Sequence, residues 1–85
     1  MVNIWMKQLK NLWKSTKIDF DFIILDILDE KYRDYDYKKL SWYQNLYRIR
    51  IGWYRIIFRD DDWDIKILLI WKRWDVYKLL HKIFS

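Results

Sequence analysis

The second half of this sequence carries cationic side chains whose types and spacing suit phosphate chemistry. Arg48 and Arg50 stand two apart in the run Leu46-Tyr47-Arg48-Ile49-Arg50-Ile51, Arg55 and Arg59 follow, and Lys72 and Arg73 come shortly before Tyr77 and His81. Guanidinium groups hold phosphate oxygens through a planar fork of paired hydrogen bonds, which lysine does not offer. A cluster of them stabilises the negative charge that builds on a phosphate under attack.

Such a cluster needs a rigid platform, and the local pattern supplies one. From Leu46 the hydrophobic period is two, so Tyr47, Ile49 and Ile51 share one strand face while Arg48 and Arg50 share the other. Gly52 marks the turn, and a two-residue loop of Gly52 and Trp53 fits a type II′ hairpin, with glycine at its first central position. That register sets Ile51 against Tyr54, Arg50 against Arg55, Ile49 against Ile56 and Tyr47 against Phe58. Like charges directly across a ladder repel, and an anion between Arg50 and Arg55 relieves the cost. The competing reading is the ordinary polar, solvated face of an antiparallel sheet.

Asp60-Asp61-Asp62 is the next turn, most simply a solvated one, and three adjacent carboxylates make a poor metal site. Trp63, Ile65, Ile67, Leu69 and Trp71 then alternate along a third strand and are expected to join the apolar face. From about Asp75, the spacing of Val76, Leu79, Leu80 and Ile83 predicts a short C-terminal helix. On it His81 lies one turn after Tyr77, as a candidate acid or base or as a bystander. Trp53, at the hairpin tip, is the best placed of Trp42, Trp53, Trp63 and Trp74 to stack on an unpaired base, although packing is the commoner use of tryptophan.

Upstream, Trp5, Leu9, Leu12 and Trp13 recur at helical spacing and predict a helix over about 5–14, with a short strand at Val2 to Trp5 as an optional beginning. Ser15 and Thr16 suit a break and a new N-cap, and Asp19 and Asp21 suit the first turn of a second helix that runs to about Lys31. Its expected buried stripe is Phe20, Ile23, Ile24, Ile27 and Leu28. Tyr32 to Asn45 has no stable period and reads as a tyrosine-rich connection. The expected fold class is α+β: two N-terminal helices on one face of a small antiparallel sheet, a three-strand meander, and a short C-terminal helix, with the charge on the sheet's other face.

Bulk properties narrow the function classes. The 85 residues make one domain with one small core, and seven Trp, seven Tyr and four Phe must supply much of its burial. With no cysteine, thiolate nucleophiles, disulfides and Cys-based zinc sites are excluded. No apolar run reads as a signal peptide or a bilayer span, and the expectation is a cytoplasmic protein with no membrane partner. The net charge is +5, with nine basic and five acidic residues in 46–85 against eight and seven in 1–45. A polyanion is the natural partner of that half, and an acidic protein also fits. The absence of Ala and Pro, the single Gly, and one Glu beside eleven Asp depart from ordinary composition and keep open a designed or drifted scaffold.

The stretch Leu46-Tyr47-Arg48-Ile49-Arg50-Ile51-Gly52-Trp53-Tyr54-Arg55-Ile56-Ile57-Phe58 resembles the YRIRxGxYRxxY signature of the RelE and ParE toxin superfamily. Lys72-Arg73-Trp74-Asp75-Val76-Tyr77 resembles its HRxDVY ending, and Lys38-Lys39-Leu40 sits where the family often has a KKL segment. The likeness covers Lys38 to Tyr77, with the N-terminal helices similar in type and order. Lys72 departs from the family's histidine.

The resemblance implies a RelE-like toxin domain over 1–85: a ribosome-dependent endoribonuclease that cleaves messenger RNA by attack of a 2′-hydroxyl, without metal or other cofactor, and is neutralised by a cognate antitoxin. By position, Arg48 and Arg50 match residues that hold RNA phosphates; Arg59 and Lys72 are further candidate phosphate contacts by their own chemistry and place in the chain. Arg55 matches the arginine at the scissile phosphate, Arg73 one beside the leaving group, and Tyr77 a tyrosine that helps activate the attacking hydroxyl. A phenol titrates near 10, so that role calls for a neighbouring cation such as Arg73. Tyr77 also suits a plain capping role at the core edge. The rival functions are a ParE-like, non-enzymatic poison of DNA gyrase and an inert or designed scaffold of the same fold.

Overall fold

The computed structural model describes residues 4–12, 18–41, 43–62, 64–72 and 75–84. Its order is α1 (Ile4–Leu12), α2 (Phe20–Leu28), a 3₁₀ turn (Tyr32–Asp34), β1 (Asp36–Lys39), β2 (Leu46–Ile51), β3 (Tyr54–Asp60), β4 (Ile65–Lys72) and α3 (Asp75–Phe84). The strands form one antiparallel sheet in the order β1-β2-β3-β4. The class is α+β, as the periodicities predict. Three details of the layout differ, and all bear on the site.

The first is a fourth strand. Asp36–Lys39 lies inside the stretch expected to be a connection, and it pairs with β2 at the sheet edge. All four of its residues are exposed, so it lacks the apolar alternation that reveals half-buried strands. Tyrosines anchor it instead. Tyr37 packs edge-on against Tyr32, ring centroids 5.5 Å apart, and lies beside Tyr47 at 6.4 Å. At the N-terminus the helix begins at Ile4 where the optional strand was expected; Val2 lies outside the described residues.

The second is a β-bulge in β4. Ile57 pairs with Leu69 but Phe58 pairs with Ile67, which leaves Leu68 as the extra residue. An extra residue reverses the alternation beyond it. Ile65, Ile67 and Ile70 therefore face α1 and α2, while Leu69 turns to the opposite face and Trp71 touches the cores on both sides. The uninterrupted alternation expected for this strand fails there; Trp63 lies outside the described residues.

The third concerns α3, which packs on the face expected to carry only charge. Val76 and Leu80 of α3 join Leu46, Ile57 and Leu69 in a second buried cluster. The first cluster holds Leu12, Phe20, Ile23, Ile24, Ile27, Tyr32, Ile49, Ile56, Phe58, Ile67 and Ile70 beneath α1 and α2. The sheet is thus covered on both sides.

Local chemistry explains the helix ends. Asp19, rather than Ser15 or Thr16, caps α2: its Oδ1 accepts from the Phe22 N–H at 3.1 Å. Ser15 and Thr16 lie outside the described residues. The helix stops in a Schellman motif, with Glu30 at φ 62°, Glu30 N–H bonded to Ile27 O and Lys31 N–H to Asp26 O. Leu28, expected in the buried stripe, is exposed, as are Phe22 and Leu25. At the far edge of the sheet, Gln8 of α1 reaches β4: its Oε1 accepts from the Ile70 N–H at 2.6 Å, closing an edge donor.

Candidate phosphate site on the α3 face of the sheet

The hairpin forms in the expected register, with Ile51 opposite Tyr54, Arg50 opposite Arg55, Ile49 opposite Ile56 and Tyr47 opposite Phe58. Gly52 has φ 57°, and Trp53 is not among the positive-φ residues, which is the type II′ pattern. Arg48, Arg50 and Arg55 consequently share one face, and α3 lies on that same face beside them.

Arg55 is the most enclosed of the three, at 6 % exposed. Its Nη1 donates to Gly52 O at 3.2 Å and to Tyr54 O at 3.1 Å, so the hairpin's own carbonyls hold the guanidinium. Tyr77, on α3, lies near enough to act electrostatically on the Arg55 guanidinium. Burial lowers the Arg55 pKa from its ordinary value, and Arg50 and Arg48 push the same way, while Tyr77 favours the charged form. The cation that meets Tyr77 is therefore Arg55. Arg73, expected in that role, lies outside the described residues.

The unexpected strand adds a carboxylate. Asp36 stands opposite Arg50 in the ladder, in one row with Arg55 across β1, β2 and β3. Its Oδ1 is 3.5 Å from Arg48 Nη1 and its Oδ2 is 4.0 Å from Arg50 Nε, and Arg48 Nη1 also donates to its backbone oxygen at 3.3 Å. The repulsion between Arg50 and Arg55 has a countercharge within the chain. Lys38, opposite Arg48, continues the basic surface onto β1. Sequence reasoning passed over Asp36, and met Lys38 only in the family-like KKL segment, because a short, fully exposed strand leaves no burial pattern; the spacing of Tyr35 and Tyr37 is the signal that marks it.

Other expected members are placed apart. Arg59 shares the face but pairs with Leu46 and Lys66, and Ile57, covered by the α3 cluster, lies between it and Arg55. Four residues of strand put the two about 13 Å apart. Lys72 pairs with Tyr54, whose ring packs against Phe20, so it sits on the α2 side of the sheet end. Tyr77 is 37 % exposed, and His81, also exposed, lies one turn further along α3. Trp53 projects from the turn at 73 % exposed.

Among the described residues no group of three His, Asp or Glu side chains is placed to hold a metal ion. The aspartate turn is structural. Asp60 accepts from the Tyr32 hydroxyl and, at 3.0 Å, from the Asp62 N–H, and Asp61 accepts from Asn45 Nδ2 at 2.9 Å. Among the described residues no helix is long and apolar enough to cross a membrane.

A chain of the crystal structure of the RelB-RelE antitoxin-toxin complex from Methanococcus jannaschii superposes on this one with a TM-score of 0.59, covering 92 % of this chain and 98 % of its own at 23 % identity. The fold is RelE-like. No protein-family model matches the sequence, and no curated protein matches it. At this identity the likeness speaks to architecture.

Proposed function

We propose that this chain is the toxin of a toxin–antitoxin pair and that it cuts messenger RNA on the ribosome by attack of a 2′-hydroxyl on the adjacent phosphate. The observation that carries this reading is the gathering of Arg48, Arg50 and Arg55 on one sheet face, with Tyr77 of α3 beside Arg55, which supports a phosphate-binding cluster next to a phenol hydroxyl. The RelE-like fold supports it, and the neighbour's antitoxin supports a cognate antitoxin as partner.

In this mechanism the 2′-oxygen forms a bond to phosphorus, the O5′–phosphorus bond breaks and O5′ takes a proton from solvent, leaving a 2′,3′-cyclic phosphate and a 5′-hydroxyl. Tyr77 is the group that takes the proton from the 2′-hydroxyl, with the Arg55 guanidinium beside it. Arg55 then faces the charge developing on the pentavalent phosphate, worth about 10²–10³ in rate for one such donor. Arg48 and Arg50 hold flanking phosphates, Arg73 accompanies the leaving oxygen, and Trp53 offers a stacking surface for an exposed base. No step requires a metal ion.

The test is overexpression followed by mapping of messenger RNA 5′ ends. Codon-phased cuts that vanish in Arg55→Ala and Arg73→Ala support the nuclease. DNA breaks with intact messages identify the gyrase poison, and no effect on either identifies a scaffold.

A further inference from the structure

We infer that Asp36 is a displaceable counter-ion that occupies a phosphate position between Arg48 and Arg50, and that it makes the cluster select chains of consecutive phosphates over isolated anions. This rests on the reading of the arginine face as an RNA site, and it concerns a residue outside the matched hairpin and C-terminal motifs.

The geometry is that of a stand-in. The two carboxylate oxygens are divided between two guanidinium groups, at 3.5 Å to Arg48 and 4.0 Å to Arg50, as a bridging phosphate divides its own. The side chain is held loosely: Asp36 is 58 % exposed, and its strand lies at the sheet edge. The Arg50–Asp36 pair is exposed on both partners and contributes little stability, so a better anion can replace the carboxylate there at small cost. Arg55 lies across β2 from Asp36 and is occupied by backbone carbonyls and Tyr77.

A lone phosphate that reaches Arg48 and Arg50 must compete with Asp36 unaided. A phosphate on a chain already held by neighbouring basic groups of the face, such as Lys38, arrives at high effective concentration and displaces the carboxylate. The carboxylate therefore taxes isolated anions and weak, non-specific polyanion binding, and a threaded strand overcomes it.

The probe is a fluorescent single-stranded 2′-O-methyl oligoribonucleotide, which the chain binds without being able to cut, titrated against the full-length protein over a range of salt. Asp36→Asn keeps the shape and removes the charge. It is expected to tighten binding about 3- to 10-fold, as removal of a charge a few ångströms from a phosphate does in a solvated site, and to steepen the slope of log affinity on log salt by about 0.7, one further phosphate neutralised. Inorganic phosphate should compete more effectively against the variant, and Asp36→Glu should restore both wild-type values.

Asp64→Asn makes the same change of net charge at a carboxylate paired with Lys66 beyond the other end of the sheet, and should move neither quantity. The inference is overturned if Asp36→Asn binds no more tightly than wild type, or if Asp64→Asn gains as much. Because the probe lacks the attacking hydroxyl, this result is independent of cleavage. A chain that binds it as described but leaves messages intact retains the counter-ion and loses the nuclease reading, and one that binds no oligonucleotide in any variant loses both.

Discussion

Arg55, near the start of β3, lies beside Tyr77, the third residue of α3, on the sheet face that carries the second, smaller core of the protein. Val76 and Leu80, buried against Leu46, Ile57 and Leu69, fix the helix that delivers the hydroxyl. The site's precision is therefore a property of that small core, and the pair can be tested separately from it.

Tyr77→Phe removes the hydroxyl and keeps the ring. With the side chain partly exposed, the change should cost about 1 kcal/mol or less of stability. Cleavage should fall by about 10²-fold or more if the hydroxyl acts in proton transfer. Single-turnover cleavage on programmed ribosomes, alongside urea unfolding, separates the two quantities, and unaltered cleavage removes Tyr77 from the mechanism.

Arg50→Ala and Arg59→Ala should differ although both arginines lie on one sheet face. Arg50 adjoins Arg55, and its loss should flatten the salt dependence of RNA binding by about 0.7 in the log–log slope. Arg59 stands beyond Ile57 and the α3 cluster, and its loss should leave cleavage within about 2-fold of wild type, because a solvated charge more than a Debye length away is largely screened. Equal effects of the two substitutions indicate a longer RNA track than the one described.

Gln8→Leu should destabilise the fold by about 1–3 kcal/mol, because it leaves the Ile70 N–H of β4 without its acceptor in a buried setting. For a domain of this size each kcal/mol lowers Tm by about 4–8 °C. Calorimetry tests this, with RNA affinity as the quantity that should not move.

Stability should also fall at high pH for a local reason. The Tyr35 phenol is pushed up to about 12, first by its hydrogen bond to Asp26 and then by burial. Burial and the bond to Asp60 push Tyr32 above the usual range as well. Both groups hold their protons more tightly folded than unfolded, where they titrate near 10. That stabilisation is complete below about pH 10; the share from Tyr35 is lost as pH rises through about 12, and that from Tyr32 at higher pH still. Tyr35→Phe should reduce the slope of stability against pH in that window, and denaturant titrations between pH 9 and 12, marked by about one unit per step, measure it.

The hairpin was legible in the residues themselves because its determinants are local: a period of two, a single glycine where positive φ is needed, and an apolar pairing that admits one register. Arg50 against Arg55 follows from that register alone. Helices α1 and α2 were legible for the same reason, each carrying its own stripe of apolar residues. Beyond this, tertiary structure decided the outcome. Asp36–Lys39 becomes a strand only because β2 offers it an edge and Tyr32 a ring to pack on. Leu69 changes face because a bulge at Leu68, invisible in the alternation of apolar residues, reverses the register. Whether Tyr77 meets Arg55, and whether Asp36 stands between Arg48 and Arg50, depends on contacts between residues far apart in the chain. Such contacts leave no trace in local periodicity, so the sequence determined which residues carry charge on the hairpin, and the folded sheet decided what each of them faces.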